Sequence, residues 1–219
     1  MALSIQPSPP AINFWPALLD VVCAAFMVFV LSTYLQLVMA MAPGARDIEA
    51  ERLRAFEAQF VRSLAATPYA DEVTVERTSL GRIRIRFNAS LLFATSDYQL
   101  KDSGARVLTW FGGFLASALE LGVREIQIAG HTDDEPFARS ASCAATGACR
   151  QYPKNNWELS SARATAVTLF LLDGGFGLPP ARFSANGRGE YQPIADNASA
   201  EGKASNRRVE VDIVFEGRP

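Results

Sequence analysis

The fold is decided by two segments, IQIAGHTDDEP at residues 126–136 and NWELSSARA at residues 156–164. The first alternates apolar and polar residues, which predicts a short strand over residues 125–129 that ends at Gly130 in a polar loop. The second opens a helix predicted from about Trp157 to Leu172, closed by a glycine-rich segment. A strand end and a helix therefore bring polar side chains to the same part of the fold.

In the flanking segments, the spacing of apolar residues also changes between that of a strand and that of a helix. Alternating apolar residues predict two strands with a turn near Gly81, and residues 208–215 (RVEVDIVF) predict a last strand. Residues 101–121 predict a helix with one apolar side, formed by Val107, Leu108, Phe111, Phe114, Leu115 and Leu119. Interleaved strands and helices of this kind predict an α+β domain, which we place at residues 69–219.

An apolar segment precedes this domain. Residues 14–42 contain one charged residue, Asp20, and are long enough to cross a hydrocarbon core of roughly 30 Å. A cleavable signal peptide begins with basic residues, whereas the chain has no Lys or Arg before Arg46. We therefore predict a single transmembrane helix over residues 14–42, with residues 1–13 as a cytoplasmic tail.

A helical connector or plug is predicted between the span and the domain, over residues 43–68. Pro43 and Gly44 end the span, and the next segment repeats apolar residues at close to helical spacing. These residues are Ile48, Leu53, Phe56, Phe60 and Leu64. The pattern leaves open whether the helix blocks ion flow or is an inert spacer.

Composition excludes several functional classes. The 219 residues carry a net charge of −2 and 20% charged residues, so an electrostatically driven nucleic-acid binder is not expected. One histidine and three cysteines make a zinc or haem site implausible, and no cofactor is predicted. The sequence offers no nucleophile with a base, so an enzyme is not expected either.

Two features stand out on physical grounds, the pair Asp133 and Arg163 and the membrane residue Asp20. Asp133 and Arg163, on facing elements, would suit a zwitterionic ligand, because a carboxylate accepts from an ammonium and a guanidinium grips a carboxylate. By pattern alone, an internal Asp–Arg salt bridge is the commoner explanation. Placing the Asp20 carboxylate at mid-membrane costs roughly 2.5–3.5 kcal/mol of free energy, which favours an ion carrier that faces a partner helix. The alternative is that Asp20 lies near the head groups, where this cost is small.

Four separated motifs resemble the OmpA-like peptidoglycan-binding domain found in MotB, Pal and OmpA. They are GHTDDEP, NWELSSARA, ANGRGEYQPIADN (185–197) and ASNRRVEVDIVF (204–215), and NASLLFATSDYQLKDSGARVL (88–108) is similar to that domain's opening strand and helix. The resemblance implies a βαβαβ-type domain with a mixed sheet and packed helices. It implies that Asp133 and Arg163 hold the diaminopimelate residue of the wall peptide. The other implied residues are Asn156, Leu159 and Thr132 at the site, with Asn206 and Arg207 as structural supports; we expect His131 to shape the loop by hydrogen bonding.

The span FWPALLDVVCAAFMVFVL (14–31) is similar to the single helix of the MotB and ZorB stator class, with Asp20 at the position of the ion-receiving Asp. This implies a homodimer beside a multi-span MotA- or ZorA-like subunit, in which Asp20 transfers ions, with protons favoured over sodium. It also implies an inner-membrane protein with a cytoplasmic N-terminus and a periplasmic domain. The alternative is a passive tether to peptidoglycan without ion transport.

The orientation is open on sequence grounds. Arg46, Arg52 and Arg54 follow the span, and positive-inside counting would place the domain in the cytoplasm. A disulfide between Cys143 and Cys149 would instead favour the oxidising periplasm, although spacing alone does not establish the bond.

Overall fold

The N-terminal unit is one helix. The computed structural model describes residues 14–41, 45–78, 82–137 and 153–215, and the chain divides into the units Met1–Gly44 and Ala45–Pro219. Helix α1 (Trp15–Met41) is apolar and long enough to cross a membrane. Residues 15–40 are exposed within the structure, unlike those of the core helix of a soluble protein. Residues 1–13, the predicted tail, lie outside the described residues.

The second unit is a five-stranded mixed sheet with helices. Its strands are β1 (Val73–Arg77), β2 (Arg82–Asn88), β3 (Val123–Gly130), β4 (Phe183–Gly187) and β5 (Arg208–Phe215). Its helices are α2 (Ala45–Ala65), α3 (Ala89–Leu92), α4 (Asp102–Ala118), α5 (Asn156–Asp173) and α6 (Ala200–Asn206). The strand order is β1-β2-β5-β3-β4, with β3 and β4 parallel and the other described neighbours antiparallel. The predicted α+β class, with a single N-terminal apolar helix, is confirmed.

One face of the sheet is apolar and the other is charged, because side chains alternate along each strand. On β2, Ile83, Ile85 and Phe87 are fully buried in the core that the helices share. Arg84 and Arg86 alternate with them, and Arg84 Nε lies 2.7 Å from Asp212 Oδ1 on β5. The residues that line the cleft described below come from α3 and the segment after it, from the segment after β3, from α5 and from Arg207, and not from the faces of the sheet.

Helix α2 is packed into the core of the second unit. Phe56 and Phe60 are fully buried, and both meet the ring of Phe114 on α4 edge-to-face, with centroids 5.2 and 5.1 Å apart. The segment predicted as a connector thus shares the core of the domain that we predicted to begin at residue 69. The side chain of Ile48 lies outside the described residues. Its plug function stays a prediction.

Among the strands and α-helices that the structure describes, three were not predicted. Strand β4 contains Phe-Ser-Ala-Asn-Gly, a short segment in which Ala, Asn and Gly are uncommon strand residues, and it pairs in parallel with β3. Helices α3 and α6 have four and seven residues, too short for a helical period to appear in the sequence. The helix predicted over 101–121 ends at Ala118 and continues as a 3-10 turn over Leu119–Leu121.

Gly130 allows β3 to approach α5 closely, and we expect Gly130→Ala to destabilise the domain. A Cβ at this position would overlap the backbone carbonyl oxygen of Ser160, which cannot move without shifting α5. Such overpacking costs about 1–3 kcal/mol, measurable by urea unfolding of the full chain in detergent. Gly113→Ala on α4 is the matched control, since its Cβ meets no atom within 4 Å. An equal free energy of unfolding for the two variants would contradict the close approach.

Candidate functional site

A cleft of about 310 Å³ lies where β3 ends and α5 begins. All five residues predicted to contact a ligand line it: Thr132, Asp133, Asn156, Leu159 and Arg163. The two chain segments meet because Gly130 ends β3 against α5, and because the Asn155 side chain caps α5 by accepting from the Glu158 N–H at 2.9 Å. The remaining described lining residues come from the α3 region, the 135–137 segment and Arg207.

Arg163 is a buried cation with incomplete pairing. The residue is 4% exposed, its Nε donates to the Asp97 carbonyl at 2.8 Å, and its guanidinium lies 5.2 Å from the centre of the Phe93 ring. Nη2 reaches the Ala94 carbonyl only at 3.5 Å, and Nη1 has no hydrogen-bond partner among the described residues. Burial lowers the Arg163 pKa to about 10, against the opposing effect of Asp97 and Asp133. The group stays charged at neutral pH, so an anionic ligand would stabilise it.

Asp133 is paired with a different arginine from the one that the pattern suggested. Its Oδ2 accepts from Nη1 of Arg207, and the side chain is largely buried. No ion pair joins Asp133 to Arg163 in the part of the chain that the structure describes. An internal Asp133–Arg163 salt bridge, the commoner explanation by pattern, is therefore wrong, and both groups remain at the cleft.

Asn156 connects three segments around the cleft. Its Nδ2 donates to the Glu135 carbonyl at 2.9 Å and to Glu190 Oε2 at 2.6 Å, and lies 3.4 Å from the Asp133 carbonyl. Because a buried amide makes these contacts, it fixes the loop after β3 against the start of α5. Asn156 thus positions Asp133 while it lines the cleft.

Thr132 and Leu159 supply one polar and one apolar contact point. Thr132 is 4% exposed, and its Oγ1 has no hydrogen-bond partner among the described residues. A buried hydroxyl without a partner is costly, and a ligand in the cleft could satisfy it. Leu159 and Phe93 give the cleft an apolar wall beside the charged groups.

His131 directly follows β3 and is buried. We expected it to shape the loop by hydrogen bonding, but neither ring nitrogen has a hydrogen-bond partner among the described residues. The buried ring lies with Nε2 3.5 Å from Glu210 Oε2, and only its backbone N–H donates, to the Arg208 carbonyl at 2.9 Å. The carboxylate of Glu210 is also held by Arg208 Nε at 2.7 Å, so the ring lies beside an ion pair, and the loop-shaping role of the side chain stays a prediction.

We expect the stability of the domain to fall as the pH drops below about 6.5, because of His131. Burial lowers the pKa of this histidine below its usual value of 6.5, with Glu210 partly opposing the shift. In that range the unfolded chain binds a proton that the folded chain does not, so the free energy of unfolding falls by up to about 1.4 kcal/mol per pH unit. Urea unfolding at several pH values between about 5 and 7.5 measures this slope.

His131→Gln is the control, because His131 is the single histidine of the chain. The variant should flatten the slope whatever its effect on absolute stability. An unchanged slope would assign the acid sensitivity to other groups.

Asn206 and Arg207 occupy different environments. Asn206 is fully buried, its Oδ1 accepts from the N–H groups of Ile194 and Ala195 at 2.8 and 3.0 Å, and its Nδ2 donates to the Ala195 carbonyl at 2.8 Å. These bonds hold the segment that precedes α6. Arg207, which we predicted as a support, also lines the cleft and pairs with Asp133.

Sequence reasoning missed Phe93, the Asp97 carbonyl and Glu190. All three belong to segments that resembled the OmpA-like domain, 88–108 for Phe93 and Asp97 and 185–197 for Glu190. The hydrogen bond to the Asp97 carbonyl involves the backbone, so no side chain in the sequence could indicate it.

The remaining predicted residues lie elsewhere. Cys143 and Cys149 lie outside the described residues, and Asp20 lies on α1 in the other unit. In the described part of the chain, no cluster of His, Cys, Asp and Glu could hold a metal ion.

Comparisons with known proteins agree with this architecture. Residues 92–207 match the model of the OmpA family. Motility protein B of Bacillus subtilis strain 168 is 40% identical over 94 residues, which cover 43% of this chain and 31% of that protein. The first curated relatives are matched over 29% to 52% of their own length.

Two solved structures are similar over most of their length. A MotB-like protein from Desulfovibrio vulgaris aligns with a TM-score of 0.66 and 28% identity, covering 78% of this chain and 99% of that one. The cell wall anchor of the T6SS from Pseudomonas aeruginosa aligns with a TM-score of 0.54 and 33% identity, covering 71% of this chain and 96% of that one.

Proposed function

The chain belongs to the OmpA family, and from that premise we propose that its second unit binds peptidoglycan through the diaminopimelate residue of the stem peptide. The observation that carries this proposal is the convergence of Thr132, Asp133, Asn156, Leu159 and Arg163 on one cleft. They belong to two separate segments of the chain, 132–133 and 156–163, yet they line the same space.

The chemistry of the cleft matches the end of such a side chain. Diaminopimelate carries an ammonium and a carboxylate on one carbon at the end of an aliphatic stem. The carboxylate of Asp133 can accept from the ammonium, and the incompletely paired guanidinium of Arg163 can grip the carboxylate. Leu159 and Phe93 offer apolar contact to the stem, and Thr132 Oγ1 gains a partner.

We further propose that the whole chain is the B-subunit of an ion-driven inner-membrane motor. The similarity to Motility protein B and to a MotB-like structure supports this class. In this role α1 spans the inner membrane, the second unit lies in the periplasm, and two copies stand beside a multi-span MotA-like subunit. Asp20 receives the ion, with protons favoured, and the wall-bound domain resists rotation.

A passive tether is the second candidate. The similarity to the cell wall anchor of the T6SS from Pseudomonas aeruginosa supports it, because that protein is itself a cell wall anchor. In a tether, α1 only holds the second unit near the membrane, and Asp20 lies near the head groups. Both candidates use the same cleft, so the partner of α1 distinguishes them.

Purification of the tagged protein from its native membrane in mild detergent tests the motor assignment. We expect a multi-span protein to copurify with two copies of this chain, as judged by mass spectrometry and by the mass of the assembly. A homodimer that carries only wall fragments, reproduced by crosslinking in intact cells, would instead establish the tether.

A further inference from the structure

An exposed pair of aromatic rings lies next to the cleft. Trp157 and Tyr191 stack with centroids 5.4 Å apart and an angle of 28° between the ring planes, yet they remain 49% and 64% exposed. Large aromatic side chains at the surface leave apolar area in water that burial would otherwise remove. Neither ring belongs to the cleft lining, so the proposed function does not account for the pair.

The two aromatic residues follow a pair of residues that a hydrogen bond joins at the cleft. Trp157 follows Asn156, and Tyr191 follows Glu190, whose Oε2 accepts from Asn156 Nδ2 at 2.6 Å. Gly189, with a φ of 58°, turns the loop toward α5, and a Cβ there would lie 3.4–3.5 Å from both rings. The segments that carry the two rings are thus joined by the same amide that contacts the Asp133 carbonyl.

Resting on the proposed function, we propose that Trp157 and Tyr191 form a subsite for a sugar ring of the glycan strand that bears the stem peptide. A pyranose ring presents a face of C–H groups that packs on an aromatic face, while its hydroxyl groups stay in water. Tryptophan and tyrosine suit this task because they combine large, rigid apolar faces with a polar edge.

The size and place of the pair favour a sugar over a protein partner. A stable protein interface covers about 800 Å² on each partner, far more than two aromatic rings provide. The stem peptide and the glycan are covalently joined, so a peptide bound in the cleft presents its sugar at high effective concentration beside the cleft edge. One ligand can therefore occupy both subsites.

Calorimetric titration of the full chain in detergent with two probes tests this subsite. The first probe is the diaminopimelate-containing stem peptide, and the second is the same peptide attached to its disaccharide. We expect the wild type to bind the second probe about tenfold more tightly. Trp157→Ala should remove most of this preference and leave the affinity for the free peptide unchanged, whereas Trp157→Phe should retain part of it.

Leu169→Ala is the matched control, because Leu169 is 51% exposed and lies on the same helix α5. It should keep the full preference. Equal affinity of the wild type for the two probes would overturn the sugar subsite and leave peptide binding in place, as would a Trp157→Ala variant that retains the preference. Absence of binding to the free peptide in the wild type would overturn the proposed function together with the subsite.

Discussion

Replacement of Asp133 by Asn is expected to weaken binding of the full chain to purified sacculi by about 10- to 100-fold. The substitution keeps the shape of a largely buried side chain and removes the charge that would accept from the ligand ammonium. Hydrogen bonds to charged groups contribute about 1.5–3 kcal/mol, which sets this range. Cosedimentation of the detergent-solubilised protein with sacculi, over a series of protein concentrations, gives the apparent Kd.

Arg163→Lys should cause a loss of similar size. Lysine keeps the positive charge but lacks the planar guanidinium group. That group donates from Nε to the Asp97 carbonyl and leaves its other N–H groups for a ligand carboxylate. A circular dichroism melt of each variant separates loss of binding from loss of the fold.

Asp134→Asn is the matched control for these variants. Asp134 is the next residue after Asp133, its side chain is exposed, and its ion pair with Lys203 is 3.8 Å long. Its removal should leave sacculus binding unchanged. Undiminished binding by the Asp133 and Arg163 variants would mean that the wall contacts lie elsewhere on the molecule.

The elements that place the site follow from local sequence. Strand β3 is predicted over residues 125–129 and extends over Val123–Gly130. It was predictable because a strand with one buried face keeps an alternation of apolar and polar residues. Helix α5 begins one residue before Trp157, where the Asn155 side chain caps it. Local patterns therefore predicted where Thr132, Asp133 and Arg163 enter the fold, and the resemblance supplied their common cleft.

The pairing of these residues did not follow from sequence. Asp133 and Arg207 are 74 positions apart, and any of several arginines could have matched the carboxylate. The amphipathic pattern of α2 predicted a helix with one buried side, but not that Phe56 and Phe60 would pack on Phe114 in the domain core. Partners at long range are chosen by the packing of the whole domain, which a local period does not contain.

Exchange of Asp20 for Asn is expected to abolish ion-dependent function of the motor complex, with ion flux reduced at least about tenfold. Asp20 is the one charged residue between residues 14 and 41. An amide of the same size neither binds nor releases a proton, so the carrier step is lost. Asp20 belongs to the first unit and the cleft residues belong to the second, so protein abundance and sacculus binding should remain at wild-type levels.

Flux through the copurified complex in liposomes, followed with a pH-sensitive dye under an imposed gradient, measures this effect. Asp20→Glu keeps a carboxyl group and should retain part of the flux. Thr33→Ala is the neutral control on the same helix, because Thr33 Oγ1 donates only to the Phe29 and Val30 carbonyls of α1 itself. Unchanged flux in the Asp20→Asn complex would contradict the carrier role of Asp20. The passive tether would then be the better account, because wall binding by the second unit does not depend on this carboxyl group.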